Sequence, residues 1–397
     1  MRWSNYLGGG WTSQILVQLS IHHYTRDAGW NQLPDGALDS AGTVLFIFAG
    51  TRCPVLEKAL GDLRLQFRLA HWIGCSTAGE ILGATLADDS VAVAIVRFDT
   101  ARVRSLQEKI DPENGAFEAG RNIARSLSGP DLKGIFVLAD GLAVNGSALA
   151  AGLAAELPAG LPVSGGLAAD GDRFGQTWVI VDRAPQAEHV VAVGFYGDSV
   201  GMACNHRGSW DVFGPEREVT HATGNVLYSL DGQPALSLYR KYLGERAGEL
   251  PAAGLLFPLA IRNELEADGL TVRTILAVNE AEQSITFAGD IPQGRFVRMM
   301  RANRDRLIDG ATGAADGIRA GANMAGEALC LAISCIGRRL VLGQRCDEEL
   351  ETVLDTLPKP SRMIGYYSYG ELSPLSSGRC DLHNQTMTLS LLWETRS

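Results

Sequence analysis

The sequence predicts an α/β (α+β) protein: two related domains of mixed β-sheets, flanked by helices and built from repeated β-α-β-β units. Apolar runs such as residues 44–49 alternate with amphipathic stretches of helical period. The same order of elements recurs along the chain. Glycine contributes 46 of 397 residues, about 12% against a usual value of about 7%, and glycines cluster where predicted strands end.

The first unit begins with a buried strand at residues 44–49. An amphipathic helix is predicted over 54–69, and a second strand from Trp72 runs into the glycine-containing loop 74–80. A third strand covers 90–97. The second unit consists of predicted helices and strands at 116–127, 134–139, 147–157, 161–164, 176–182 and 189–196.

Periodicity is lost between residues 206 and 217, which indicates a junction. Beyond it the pattern predicts a strand and turn at 225–235, a short helix at 234–242, a hairpin at 271–287, a basic helix at 295–308 and a loop at 310–321. The last unit is predicted at 329–336, 346–357, 362–369 and 386–393. The domain division is therefore an N-terminal extension (1–40), a first domain (41–205), a junction (206–218) and a second domain (219–397).

Bulk composition excludes several classes of protein. The formal net charge is −10, which argues against a broad nucleic-acid surface. Apolar stretches reach only about six residues, far short of a membrane span, and residues 1–5 contain no apolar core of a signal peptide. Seven cysteines without C-x-x-C spacing favour a reducing compartment. We therefore expect a cytoplasmic protein that neither inserts into a membrane nor binds nucleic acid.

Two distant segments resemble each other. Residues 74–81 (GCSTAGEI) align with residues 365–372 (GYYSYGEL), with three identities and one Ile/Leu pair. Both segments follow a helix and end the second strand of a unit. This equivalence indicates a duplicated fold.

These segments also resemble a known family. Residues 74–81 resemble the signature of the N-terminal FIST domain, and residues 224–235, 365–371 and 382–388 resemble its C-terminal partner. The resemblance extends from about residue 44 onward. It implies an intracellular sensory module of bacterial signal transduction that binds small ligands such as amino acids. It also implies, for one bacterial branch, haem binding and nitric oxide sensing upstream of histidine kinases or cyclic-di-GMP enzymes.

The leading hypothesis is a non-catalytic sensor that binds an amino-acid-like metabolite near the interdomain cleft. No transmitter, kinase or cyclase segment is recognised, so the output is expected to pass through a separate partner, such as a histidine kinase or a cyclic-di-GMP enzyme. Small residues at strand ends let a ligand approach backbone N–H groups. The candidate ligand-binding residues are Gly74, Cys75, Ser76, Thr77, Gly79, Glu80, Gly165, Gly166, Asp170, Tyr369, Gly370, Glu371, His383 and Asn384.

Within this set, Ser76 and Thr77 offer hydroxyls and Glu80 a carboxylate that could receive an amine. The alternative is a structural turn in which Glu80 caps a neighbouring backbone. The segment 368–371 is expected to face the first loop across a pseudo-twofold axis, and the three glycine loops are expected to line one pocket.

Two other functions stay open at this point, besides a pure interaction scaffold that binds no small ligand. Haem is a possible cofactor in the FIST resemblance, and His206 and His383 are the candidate axial ligands because both fall where a cleft between domains could open. A Cys75-dependent hydrolase or transferase is the enzymatic alternative. No hydrolase signature accompanies Cys75, so we expect the protein not to be an enzyme. We identify no metal site in the sequence.

Overall fold

The computed structural model describes residues 17–111, 115–263, 270–324 and 326–395. These residues form three β-α-β-β units and one inserted sheet domain. The first unit contains β1 (Val17–Thr25), β2 (Gly29–Trp30), β3 (Thr43–Gly50), α1 (Leu56–Gln66), β4 (His71–Thr77), β5 (Glu80–Leu82), β6 (Thr85–Ala87) and β7 (Val91–Phe98).

The second unit repeats this order with an additional helix before its central strand. It contains β8 (Arg102–Lys109), α2 (Gly115–Leu127), β9 (Leu132–Ala139), α3 (Gly146–Glu156), β10 (Val163–Leu167), β11 (Val179–Val181), β12 (Ala184–Gln186) and β13 (His189–Tyr196).

The third unit is interrupted by the inserted domain. It opens with β14 (Val200–Arg207), after which the insertion contains β15 (Asp211–Thr223), β16 (Val226–Leu230), β17 (Gln233–Pro234), α4 (Ala235–Leu243), β18 (Leu259–Arg262), β19 (Leu270–Arg273), β20 (Ile275–Asn279), β21 (Ser284–Phe287) and β22 (Phe296–Arg301). The unit resumes with α5 (Arg304–Gly321), β23 (Ala328–Cys335), α6 (Ile336–Leu342), α7 (Cys346–Thr356), β24 (Ser361–Ser368), β25 (Gly370–Pro374), β26 (Cys380–His383) and β27 (Met387–Glu394).

Each unit has its own sheet, completed by a hairpin from another unit. The hairpin β11–β12 of the second unit pairs with β4 of the first, β25–β26 of the third pairs with β10 of the second, and β5–β6 of the first pairs with β24 of the third. The exchange is cyclic, which gives the three units a pseudo-threefold arrangement.

The central strands of the three units bury both faces, and this explains their nearly continuous apolar sequences. Phe46, Phe136 and Leu331 belong to one inner core shared by the three sheets, and the rings of Phe46 and Phe136 lie 5.5 Å apart edge to face. On the opposite face, Leu45 packs with helix α1 and Ile135 with helices α2 and α3. The units therefore enclose a common interior and carry their helices outside.

The predicted fold class is confirmed, including the mixed sheets and repeated β-α-β-β units. The basic helix predicted over 295–308 is wrong for its first part, because residues 296–299 alternate exposed and buried as strand β22, and helix α5 begins only at Arg304. The loop predicted at 310–321 is also wrong. It belongs to helix α5, whose small buried residues, such as Gly310 and Ala314, allow close packing.

The structure describes parts of the predicted N-terminal extension (1–40) and all of the predicted junction (206–218). Residues 1–16 of the N-terminal extension lie outside the described residues, while β1 pairs along its length with β7 in the sheet of the first unit. Most of the junction 206–218 belongs to strands β14 and β15. No helix in the described part of the chain combines the length and apolar character needed to cross a membrane.

Candidate functional site

Each second strand, β4, β10 and β24, carries a glycine where it lies against the central strand of its unit. Gly74 is paired with Ile47, Gly165 with Val137, and Gly365 with Ala332. A Cβ atom at any of the three would overlap the carbonyl oxygen of the paired residue. These glycines are therefore required for close backbone approach.

The three segments that follow these glycines meet through a closed ring of backbone hydrogen bonds. Ala78 N–H donates to the carbonyl oxygen of Tyr367 (2.9 Å) and Ala169 N–H to that of Ser76 (2.9 Å). Tyr369 N–H donates to the carbonyl oxygen of Leu167 at 3.4 Å, which closes the ring. The expected pseudo-twofold relation is wrong, because the second unit supplies a third equivalent segment.

Glu80 lies at this joint with no solvent exposure. Its carboxylate accepts hydrogen bonds from the hydroxyl of Thr77 and from the backbone N–H (3.1 Å) and hydroxyl (2.7 Å) of Ser90. Burial raises the pKa of Glu80 to about 7, although these hydrogen bonds oppose the shift. The carboxylate ties its loop to the start of β7, which is the capping role considered as the alternative.

Glu371 repeats the arrangement in the third unit. It is fully buried and accepts from the hydroxyl of Ser368 (2.5 Å) and from the N–H (3.2 Å) and hydroxyl (2.8 Å) of Thr386, which precedes β27. Burial again raises the pKa, to about 7. Two separate sites therefore hold equivalent carboxylates.

Asp140 supplies the carboxylate of the second unit, and sequence reasoning missed it. Its Oδ2 accepts from the N–H of Glu188 (2.7 Å), directly before β13, and its Oδ1 from the hydroxyl of Thr177. Asp140 follows the central strand and not the second strand, so it does not align with Glu80. The available signal was its position immediately after a buried apolar run.

An open cleft of about 360 Å³ adjoins the joint, and all three units border it. Its walls are formed by Gly50, Thr77, Ala78, Gly79, Glu80, Asp88, Asp89, Gly171, Asp172, Arg173, Ile336, Arg339 and Leu340. Thr77, Gly79 and Glu80 were predicted from the sequence. The other predicted loop residues do not line this cleft: Gly74, Cys75, Ser76, Gly165, Gly166, Gly370 and Glu371 are buried within the joint.

Charges of both signs surround the cleft. Arg339 forms a bidentate ion pair with Asp88 (2.8 and 2.6 Å) and also donates to the carbonyl oxygen of Ala78. Asp89 and Arg173 are exposed, and neither has an ion-pair partner in the described part of the chain. The cleft thus offers two exposed carboxylates, Asp89 and Asp172, and one guanidinium, Arg173, that form no ion pair within the described residues.

Asp170 and Tyr369 form a hydrogen-bonded pair beside the cleft. The Tyr369 hydroxyl donates to Asp170, whose Oδ2 accepts from the N–H groups of Gly175 (2.9 Å) and Gln176 (3.0 Å). The ring of Phe174 stacks on that of Tyr369, with centroids 5.0 Å apart. These contacts fix the loop that carries Arg173.

The FIST N domain matches residues 43–233, and the FIST C domain matches residues 235–374. The chain belongs to the FIST family. FIST domains occur in signal-transduction sensors, so the resemblance seen in the sequence is confirmed at this level. The cleft combines elements of both domains, since residues 50–173 belong to the first and residues 336–340 to the second.

Two individual proteins show more distant similarity to this FIST protein. An uncharacterised protein of Methanocaldococcus jannaschii is 24% identical over 296 residues, which cover 68% of this chain and 56% of that protein. The matched segment thus spans little more than half of the relative. The crystal structure of a cyanuric acid hydrolase from A. caulinodans aligns with 96% of this chain and 100% of its own, at 8% identity and a TM-score of 0.36.

Cys75 of the FIST N domain lies in an environment that disfavours nucleophilic catalysis. Its side chain has no solvent exposure, and burial raises the pKa of the thiol far above its usual range. His71, the nearest histidine in sequence, points its Nδ1 at the hydroxyl of Ser105 (2.7 Å). The residue therefore fits as a small core side chain.

We expect Cys75 to resist alkylation in the native protein. Iodoacetamide treatment followed by peptide mass spectrometry should leave the Cys75 peptide unmodified, whereas the same peptide should react after unfolding in guanidinium. Rapid stoichiometric labelling of native Cys75 would contradict this expectation and would restore the enzymatic alternative.

His206 and His383 meet in a second cleft, of about 310 Å³. Their ring centroids lie 3.7 Å apart, and His383 Nε2 is 3.1 Å from the carbonyl oxygen of Ser373. Asn384 borders the same cleft and donates to the carbonyl oxygen of Tyr369 (3.2 Å). This geometry places His206 and His383 together but away from the first cleft.

The second cleft does not fit a haem. An axial histidine must present a ring nitrogen to an apolar pocket, but here the two rings pack on each other and His383 Nε2 faces a carbonyl oxygen. The wall also contains polar residues, Asn205, Thr271 and Ser376 among them. Among the residues that the structure describes, no group of three or more His, Cys, Asp or Glu side chains is arranged to hold a metal ion.

Proposed function

We propose that this FIST protein is a cytoplasmic sensor of bacterial signal transduction that binds an amino-acid-like zwitterion in the cleft beside Glu80. The observation that carries the proposal is that charges of opposite sign without an ion-pair partner in the described residues, Asp89 and Asp172 against Arg173, line one cleft of about 360 Å³. A carboxylate suits an α-ammonium group, and a guanidinium suits an α-carboxylate. The ligand would lie between the two.

The position of the cleft supports a sensory role. Asp89 belongs to the first unit, Arg173 to the second and Arg339 to the third. A ligand that touches all three favours one arrangement of the units over others, and differential binding of this kind shifts a conformational equilibrium. The output passes to a separate partner, a histidine kinase or a cyclic-di-GMP enzyme.

The polar wall narrows the ligand class further. Arg339 and Asp88 neutralise each other across the boundary between the first and third units. The polar side chains in the wall favour a compact polar amino acid over one with a large apolar side chain. Leu340, 40% exposed at the rim, is among the few apolar contacts available.

Screening the purified protein against free amino acids tests the proposal. A ligand present at 100 times its Kd stabilises the native state by about 2.7 kcal/mol and raises Tm. Arg173→Ala and Asp89→Asn should each weaken binding at least about tenfold, because each removes one charge-assisted contact. Isothermal titration of the ligand from the screen gives the affinities.

The matched control is the ion pair Arg102–Asp131, which lies at the opposite end of the second sheet from the cleft. Arg102→Ala and Asp131→Asn should leave the affinity unchanged within about twofold. These charges lie farther from the bound ligand than the distance over which dissolved salt screens electrostatic interactions. If no amino acid raises Tm, or if the control pair reduces binding as strongly as the cleft pair, the proposal fails.

A further inference from the structure

The charges that line the cleft beside Glu80 do not balance once their partners within the protein are counted. Arg339 is already engaged, because its guanidinium donates to both carboxylate oxygens of Asp88 (2.8 and 2.6 Å) and to a backbone carbonyl oxygen. Setting this pair aside leaves one guanidinium in the wall, Arg173, and two exposed carboxylates, Asp89 and Asp172. In the part of the chain that the structure describes, no hydrogen bond or ion pair engages these three side chains.

The neighbouring buried carboxyl groups do not offset this negative excess. Glu80 forms part of the wall and accepts hydrogen bonds from Thr77 and Ser90, and Asp170 beside the cleft accepts from the hydroxyl of Tyr369. Neither carboxyl forms an ion pair with an arginine or lysine of the described residues. Their contribution to the charge of the cleft is therefore negative or zero.

The two exposed carboxylates belong to different walls. Asp89 precedes β7 in the first unit, whereas Asp172 adjoins Arg173 in the loop that follows β10 of the second unit. The contacts of Asp170 and Tyr369 fix this loop. The cleft therefore presents two anionic groups and one cationic group that are held in place before a ligand arrives, which reduces the entropy cost of binding.

A neutral amino acid would use only two of these three charges. Its α-carboxylate would pair with Arg173 and its α-ammonium group with Asp89, so Asp172 would stay unpaired in the same cleft of about 360 Å³. Like charges that share a cleft repel each other, and a second ammonium group on the ligand relieves this repulsion. An acidic side chain would instead bring a further carboxylate with no free cation to meet it.

We infer that the ligand of this cleft is a basic amino acid of the ornithine or lysine type, whose side-chain ammonium group pairs with Asp172. This inference rests on the proposed function, because it concerns the same cleft and assigns Asp89 and Arg173 the same roles. Asp172 determines specificity for the side chain, since a carboxylate forms a charge-assisted hydrogen bond with an ammonium group. The methylene groups of such a side chain can cover Leu340 at the rim, which is 40% exposed.

Isothermal titration with three related ligands tests the inference. L-Ornithine has an α-zwitterion and a side-chain ammonium group, L-norvaline has the same carbon skeleton without that ammonium group, and 1,4-diaminobutane retains both ammonium groups without the carboxylate. We expect ornithine to bind at least about fivefold more tightly than norvaline, as for a solvent-accessible ion pair. Diaminobutane should bind more weakly than ornithine, because it leaves Arg173 without a partner.

Replacement of Asp172 by asparagine separates specificity from general binding. Asp172→Asn should weaken ornithine binding at least about fivefold and should not weaken norvaline binding. Asp355→Asn is the matched control, since Asp355 is exposed near the end of α7, has no ion-pair partner in the described residues and does not line the cleft. The chain then enters β24, whose far end lies at the joint, so this variant should leave both affinities unchanged.

The outcomes distinguish this inference from the proposed function. Norvaline that binds as tightly as ornithine, or an equal loss for both ligands in Asp172→Asn, would overturn the inference and leave the zwitterion site standing. If no amino acid raises Tm, the proposed function itself fails. If Mg²⁺ or Ca²⁺ raises the Tm of the wild type but not of Asp172→Asn, the extra carboxylate serves a metal ion and the inference is wrong.

Discussion

Replacement of Gly165 or Gly365 by alanine should prevent the protein from reaching its native fold. The new Cβ would overlap the carbonyl oxygen of Val137 or Ala332, and a backbone atom in a central strand cannot swing aside as a side chain can. Gly165 also has a φ of +151°, which strains any other residue. We expect each variant to lose more than about 4 kcal/mol of the free energy of unfolding.

Guanidinium denaturation followed by circular dichroism measures this loss of stability. Where a variant does not fold, its yield of soluble protein is compared with that of the wild type. Gly61→Ala is the control, because Gly61 lies in helix α1 with no atom near the added methyl group. That variant should gain about 0.5 to 1 kcal/mol from the higher helix propensity of alanine. Wild-type stability in Gly365→Ala would refute the close strand approach described here.

The second large effect is a loss of stability as the pH rises from about 4.5 to 7. Burial raises the pKa of both Glu80 and Glu371 from 4.5 to about 7. In this range the native state binds more protons than the unfolded state, so the free energy of unfolding falls with increasing pH. At about 1.4 kcal/mol per pKa unit, each carboxyl accounts for about 3 kcal/mol.

Chemical denaturation across this pH range should show that the free energy of unfolding falls as the pH rises. Glu80→Gln and Glu371→Gln should each reduce this pH dependence. Glu394→Gln is the control. Desolvation opposes ionisation of Glu394, but its hydrogen bonds from Thr100, Asp99 and Ala101 prevail and lower its pKa, so it titrates below this window. A flat stability profile in the wild-type protein would show that neither buried carboxyl titrates near neutrality.

Most central strands were predictable because they are buried on both faces and read as apolar runs. Among the strands that the sequence did not reveal, β1, β8 and β14 are outer strands of the three units. Their burial alternates or is largely intermediate, as in Arg102–Lys109, where charged residues face solvent. Such strands form because they pair with a neighbour, and a local pattern does not contain that neighbour.

The candidate site was predictable in part. The glycine loops were found because their sequence repeats, yet most of their residues are buried in the joint and do not line a pocket. Arg173, Asp89 and Arg339 were missed. They lie in different units and approach one cleft only through the cyclic hairpin exchange, which no spacing in the sequence encodes.

The exchange of hairpins has a consequence for synthesis on the ribosome. The edge of strand β10 is covered by Gly370–Pro374, which is made about 200 residues later. The hairpin β5–β6 likewise has no partner until Ser361–Ser368 emerges. During synthesis, the strand edges of the first and second units therefore stay unpaired until the third unit is made. A nascent chain stalled between the second and third units would be the most prone to aggregate or to require a chaperone.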